Sequence, residues 1–117
     1  MDQSVLLVIL ALVKGDISAS FANTANMKAC RVKLSQIHAT LQRARYEIVQ
    51  SRCVKSSQKF TSYRTRRSKN APRVHYLISF PADSITITPM AGKPACEQAK
   101  ARAGEKSYCA TSRQKLL

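Results

Sequence analysis

His38, His75 and Glu47 are the side chains of this sequence with proton-transfer chemistry to offer. A neutral imidazole can take the proton of a 2′-hydroxyl while a neighbouring cation protonates the leaving oxygen, the reaction of a two-histidine ribonuclease. Nothing in the sequence brings the three together. His38 follows Ile37 on an expected helix, and His75 falls on the strand face opposite Val74 and Tyr76. Glu47 stands four residues after Arg43, the spacing of a helical salt bridge. There is no nucleophile motif, glycine-rich phosphate loop or paired carboxylate, and no C-x-x-C or H-x-x-H spacing for a metal. No cofactor or metal is expected, and binding is favoured over catalysis.

The cations carry the stronger signal. The 117 residues hold 20 Lys and Arg against 6 Asp and Glu, a net charge of +14. Such an imbalance repels itself and is easier to tolerate beside a polyanion or an anionic membrane. Phosphate contacts need cations within reach, and base stacking needs exposed aromatics. Tyr63, Arg64, Arg66, Arg67, Lys69 and Arg73 offer both within one expected hairpin, and Arg43, Arg45 and Arg52 add charge from the preceding helix. The same run contains Arg64-Thr65-Arg66-Arg67, the type of site that proprotein convertases cut. A cut there would release 68–117 or leave two disulfide-linked chains. The bland alternative is a charged hairpin tip that keeps strand edges from aggregating.

Elements must position these residues. The start of the chain, MDQSVLLVILALVKGDISASFANT, has the shape of a secretory leader: an apolar run from Val5 to Val13, then small residues at Ser20 and Ala22. The run is shorter than the roughly 20 residues needed to span a bilayer. Against the leader stand Asp2, where a positive charge is usual, and the polar Lys14-Gly15-Asp16. The expected organisation is a signal peptide over 1–22 and one secreted basic domain over 23–117. The alternative is a buried N-terminal helix or strand.

Residues 27–52 contain no Gly or Pro, and Leu34, Ile37, Leu41, Ala44 and Ile48 recur at steps of three and four. This predicts one long amphipathic helix, with Asn26 as its N-cap. The period then changes. Residues 59–65, 74–80 and 84–88 read as strands, with Val74, Tyr76, Ile78 and Phe80 on one face. Residues 95–106 suggest a turn or two of helix, and SYCATS suggests an edge strand. No internal repeat is visible. The expected fold is α+β: one long helix packed on a small antiparallel sheet, stapled by disulfides. A helix continuous from Cys30 to Cys53 would hold them about 30 Å apart, far beyond disulfide reach. The pairing Cys30–Cys109 with Cys53–Cys96 is therefore favoured, its swapped form remaining open.

The order of a leader, Cys30, a helix, a sheet and Cys109 is similar to that of small secreted effectors of plant-pathogenic fungi with a ribonuclease-like fold. Tyr76-Leu-Ile-Ser-Phe80-Pro81 resembles the family's aromatic strand ending in Phe-Pro. Two features depart from it: Lys28 stands where an aromatic residue is usual, and the Glu, Arg and His of the fungal guanine-specific ribonucleases have no match. The resemblance, over 30–109, implies a non-catalytic virulence effector that binds RNA or a host protein inside plant cells. The expected function is thus that of a secreted, monomeric, cationic protein that binds RNA or another polyanion. The alternatives are a cationic toxin or host-defence protein acting on anionic membranes, and a secreted ribonuclease.

Overall fold

The computed structural model of the chain describes residues 4–56, 58–60, 73–81, 84–103 and 106–114. The elements run Val5–Val13 (β1), Asp16–Thr24 (β2), Met27–Arg43 (α1), Glu47–Lys55 (β3), Val74–Ser79 (β4), Thr86–Met90 (β5), Lys93–Ala103 (α2) and Ser107–Ser112 (β6). Six strands form one mixed sheet in the order β3-β1-β2-β6-β4-β5. Its neighbours are antiparallel except β2 and β6, which run parallel and share the single bridge Ser18–Thr111. This replaces the expected single long helix on a small antiparallel sheet.

The residues expected to form a leader form two adjacent interior strands of the sheet. β1 pairs with β2 on one side and β3 on the other. Leu6, Val8 and Leu10 point into one apolar cluster, and Val5, Leu7 and Ile9 into another beneath α1. A strand covered on both faces needs a continuous apolar run, which is also the composition of a leader's core. Lys14 and Gly15 have φ of 51° and 86°. They make the two-residue turn whose left-handed backbone matches strand twist. The polar Lys-Gly-Asp that fits a leader poorly is thus a hairpin turn. Cleavage after Ala22 would remove β1 and most of β2.

α1 begins where expected: Asn26 Oδ1 accepts from the Ala29 N–H at 2.8 Å. It stops nine residues early, at Arg43. The Tyr46 N–H bonds to the Leu41 carbonyl and the Arg45 N–H to the Gln42 carbonyl, each at 3.0 Å, which is the Schellman ending. Arg45 takes the left-handed position at φ 64°. The chain then reverses into β3, and Ile48 reaches the same cluster as Leu34, Ile37 and Leu41 from a strand. An unbroken helical period therefore hid a helix-to-strand change. The reversal carries Cys53 back to Cys30, with Cα atoms 6.0 Å apart. The disulfides are Cys30–Cys53 and Cys96–Cys109, not the expected pairs. Because a left-handed non-glycine residue is strained, Arg45→Gly is expected to stabilise the protein by about 0.5–1 kcal/mol. The urea midpoint checks this.

β4 keeps the expected alternation, with Val74, Tyr76, Ile78 and Phe80 in the larger cluster. β5 and α2 lie within two residues of their expected starts. β6, expected at an edge, lies inside the sheet between β2 and β4. Of the expected strand 59–65, the described residues include Phe60, whose ring stacks on Phe21 at 3.9 Å.

The chain is built twice. β1-β2-α1-β3 and β4-β5-α2-β6 have the same order, and each unit arranges its strands third-first-second in the sheet. In the first, Leu7 pairs with Ala22 and with Cys53. In the second, Leu77 pairs with Thr88 and with Cys109. Each unit's disulfide joins the fourth residue of its helix to its third strand. The larger cluster takes residues from all six strands, so the sheet curls around one shared core with both helices outside. The repeat lives in pairing positions rather than in residue identity, which is why none shows in the sequence.

Candidate anion-binding site

At the parallel seam the sheet opens into a groove of about 470 Å³. Its rim is the β1–β2 turn, with Lys14 and Asp16. Across from it α2 presents Lys93, Glu97 and Lys100, three residues on one face of the helix. Arg73 and His75, at the start of β4, close one end, and Ser18 and Thr111 line the seam. Arg73 Nη1 donates to Thr111 Oγ1 at 3.3 Å, which draws the guanidinium over the seam. Lys93 Nζ donates to Asp16 Oδ1 at 3.3 Å, with both side chains about two-thirds exposed. An ion pair so exposed is worth at most about 1 kcal/mol and yields readily to a better anion. Four cations thus meet two carboxylates in one concavity.

A second basic surface lies on α1. Lys28, Arg31 and Lys33 project from the first two turns of α1, and Arg43 and Arg45 from its far end. All five are exposed. The first turn of α1 holds no acidic residue. A cation there opposes the helix dipole at a cost of roughly 0.3–1 kcal/mol. Among the described residues the carboxylates are Asp16, Glu47 and Glu97, and Lys93–Asp16 is the one ion pair. Arg52 lies over the Phe80 ring, 4.7 Å from its centre, and is committed to packing.

The residues with proton-transfer chemistry are not assembled. His38 lines a depression between α1 and β3 with Gln42 and Tyr46, whereas His75 lines the seam groove. Glu47 is exposed at the start of β3, outside the helix in which a pair with Arg43 was expected. Of the expected polyanion contacts, Arg43, Arg45, Arg52 and Arg73 are described; Tyr63, Arg64, Arg66, Arg67 and Lys69 lie outside the described residues. Sequence reading missed Lys14, Lys93 and Lys100. Lys14 was hidden inside the expected leader, and the lysines of α2 are seven apart, a helical spacing that signals a shared face once the helix is recognised. No helix among the described residues is long and apolar enough to cross a membrane. No family model, curated protein or solved structure matches the chain, so its function has to be argued from these residues.

Proposed function

We propose that this is a non-catalytic, disulfide-stapled domain of an oxidising compartment that binds RNA through its cationic surface. The observation that carries the reading is an exposed cationic surface on α1 that, among the described residues, has no carboxylate paired with it. Lys28 sits in the first turn of α1, where a cation opposes the helix dipole and no acidic side chain offsets it, and Arg31 and Lys33 follow in the next turn, all three exposed. A surface so unbalanced repels itself and is most easily tolerated beside an anionic partner. The two disulfides support an oxidising compartment such as the cell exterior. The exposed large apolar residues among those described are Val32 on α1 and the neighbouring Tyr46 and Val49, too few to make a membrane-seeking face.

The test is binding of single-stranded RNA as a function of salt, for the parent chain and two triple variants. Removing a cation that neutralises one phosphate lowers the slope of log K against log salt by about 0.7. Replacing Arg31, Lys33 and Arg43 with Ala is expected to flatten that slope by about 2, on the same relation. The Arg64, Arg66 and Arg67 triple to Ala measures the share carried by the segment after β3. An unchanged slope in both variants, or leakage of anionic vesicles without RNA binding, overturns the proposal.

A further inference from the structure

Matching the two units by their pairing partners shows what sets the seam groove apart. Leu7 corresponds to Leu77, since each pairs with its unit's third-strand cysteine. Val5 then corresponds to His75. Met27, the first residue of α1, corresponds to Lys93, the first of α2, and Leu34 to Lys100. In the first unit Val5, Met27 and Leu34 belong to the apolar cluster that seats α1 on the sheet. In the second, the same three positions are His75, Lys93 and Lys100, and all three line the groove. Where the first unit seats its helix with apolar side chains, the second presents an imidazole and two ammonium groups. Two further cations come from elsewhere: Lys14 from a left-handed turn position better suited to Asn or Gly, and Arg73 drawn inward by Thr111.

We propose that this groove binds a phosphomonoester, either a free nucleotide or the 5′-phosphate end of an RNA. Four cations against two carboxylates leave an excess that matches a group carrying about −1.5 to −2 charges at neutral pH. A groove of about 470 Å³ is larger than a phosphate alone needs and falls within the usual range for small-molecule sites. Arg73 supplies the planar fork that pairs with two phosphate oxygens, and Lys93 and Lys100 supply point charges from the facing helix. The phosphate displaces Asp16 from Lys93. The site is distinct from the outward face of α1, so it can hold or fail independently of RNA binding there.

Calorimetry of the oxidised full chain with AMP, adenosine and inorganic phosphate tests it. AMP is expected to bind and adenosine not to. The double variant Lys93→Met, Lys100→Leu restores the residues of the first unit and so is compatible with the fold. It is expected to weaken AMP binding about tenfold or more, as removal of charge-assisted hydrogen bonds does, while its CD spectrum and urea midpoint confirm folding. Asp16→Asn frees Lys93 and is expected to tighten binding. Hexanucleotides with a 5′-phosphate and a 5′-hydroxyl separate the sources. Preference for the phosphorylated end assigns the site to RNA termini, and AMP binding without that preference assigns it to free nucleotides. Equal binding of AMP and adenosine, no binding of either, or a double variant that binds AMP as the parent does overturns the proposal.

Discussion

Deleting residues 1–22 is expected to leave a chain that does not fold. The deletion removes β1 and all but two residues of β2. With them go Leu6, Val8, Leu10, Ala19 and Phe21 from the larger core, and Val5, Leu7 and Ile9 from beneath α1. Fully burying one such side chain is worth about 1.5–3 kcal/mol. The six large residues from Val5 to Leu10 together therefore contribute on the order of 10 kcal/mol, comparable to the whole stability of an ordinary domain. β3 would also lose its sheet partner, and Cys30 and Cys53 would cross-link a helix and a strand with no sheet between them. The measurement is far-ultraviolet CD with urea unfolding on chains 1–117 and 23–117. The long chain should unfold cooperatively and the short one show no transition. The mass of the chain exported from a eukaryotic host supplies the second half of the test. A folded product beginning at Asn23, about 4 Da lighter than its reduced form through two disulfides, would mean that β1 is dispensable and the first 22 residues are a leader.

Gln114→Ala is expected to cost about 2–6 kcal/mol, from two buried backbone groups left unpaired. Gln114 follows β6 and is 2% exposed. Its side-chain amide copies a strand residue. The Phe21 N–H donates to Oε1 at 2.8 Å, and Nε2 donates to the Phe21 carbonyl at 2.7 Å. Where β2 and β6 share one backbone bridge, this amide satisfies both polar groups of Phe21. The Gln114 carbonyl also accepts from the Tyr76 hydroxyl at 2.9 Å, tying the end of the chain to the aromatic cluster of Phe21, Phe60 and Tyr76. Truncation leaves a buried donor and acceptor unpaired, each costing about 1–3 kcal/mol. Glu at this position keeps the acceptor but sets a carboxylate against the Phe21 carbonyl, so Gln114→Glu should be at least as damaging. Urea unfolding at constant slope reads the loss; a change under about 1 kcal/mol would mean that water replaces the amide at about equal worth.

The parts of this fold legible in the sequence are those fixed by local rules. The Asn26 cap, the early turns of α1, the alternation through β4 and the approximate place of α2 follow from side-chain chemistry within a few residues. The parts that were not legible depend on partners distant in the chain. Val5–Val13 is equally suited to a leader and to a strand covered on both sides, and its pairing with β2 and β3 depends on residues distant in the chain. The helical stripe runs on through Ala44 and Ile48 although α1 ends at Arg43, because Ile48 meets the same apolar cluster from either geometry. The error in the helix length then carried directly into the cysteine pairing. The candidate site was half legible. Arg73 stood out within a basic run, but Lys93 and Lys100 acquire meaning only beside Met27 and Leu34, and that correspondence needs the duplicated topology.

Each disulfide closes within its own unit, Cys30–Cys53 in the first and Cys96–Cys109 in the second, and none crosses the seam. The Arg64–Arg67 sequence lies in the stretch between the units. A protease acting there would therefore not yield the disulfide-linked pair of chains that the sequence suggests. It would yield two closed pieces, 1–67 and 68–117, joined by the shared core, the Ser18–Thr111 bridge and the Gln114 amide. Such a product migrates as one particle in native buffer and as two in urea without any reductant. Oxidation secures the identity of each half, and their partnership rests on packing and hydrogen bonds.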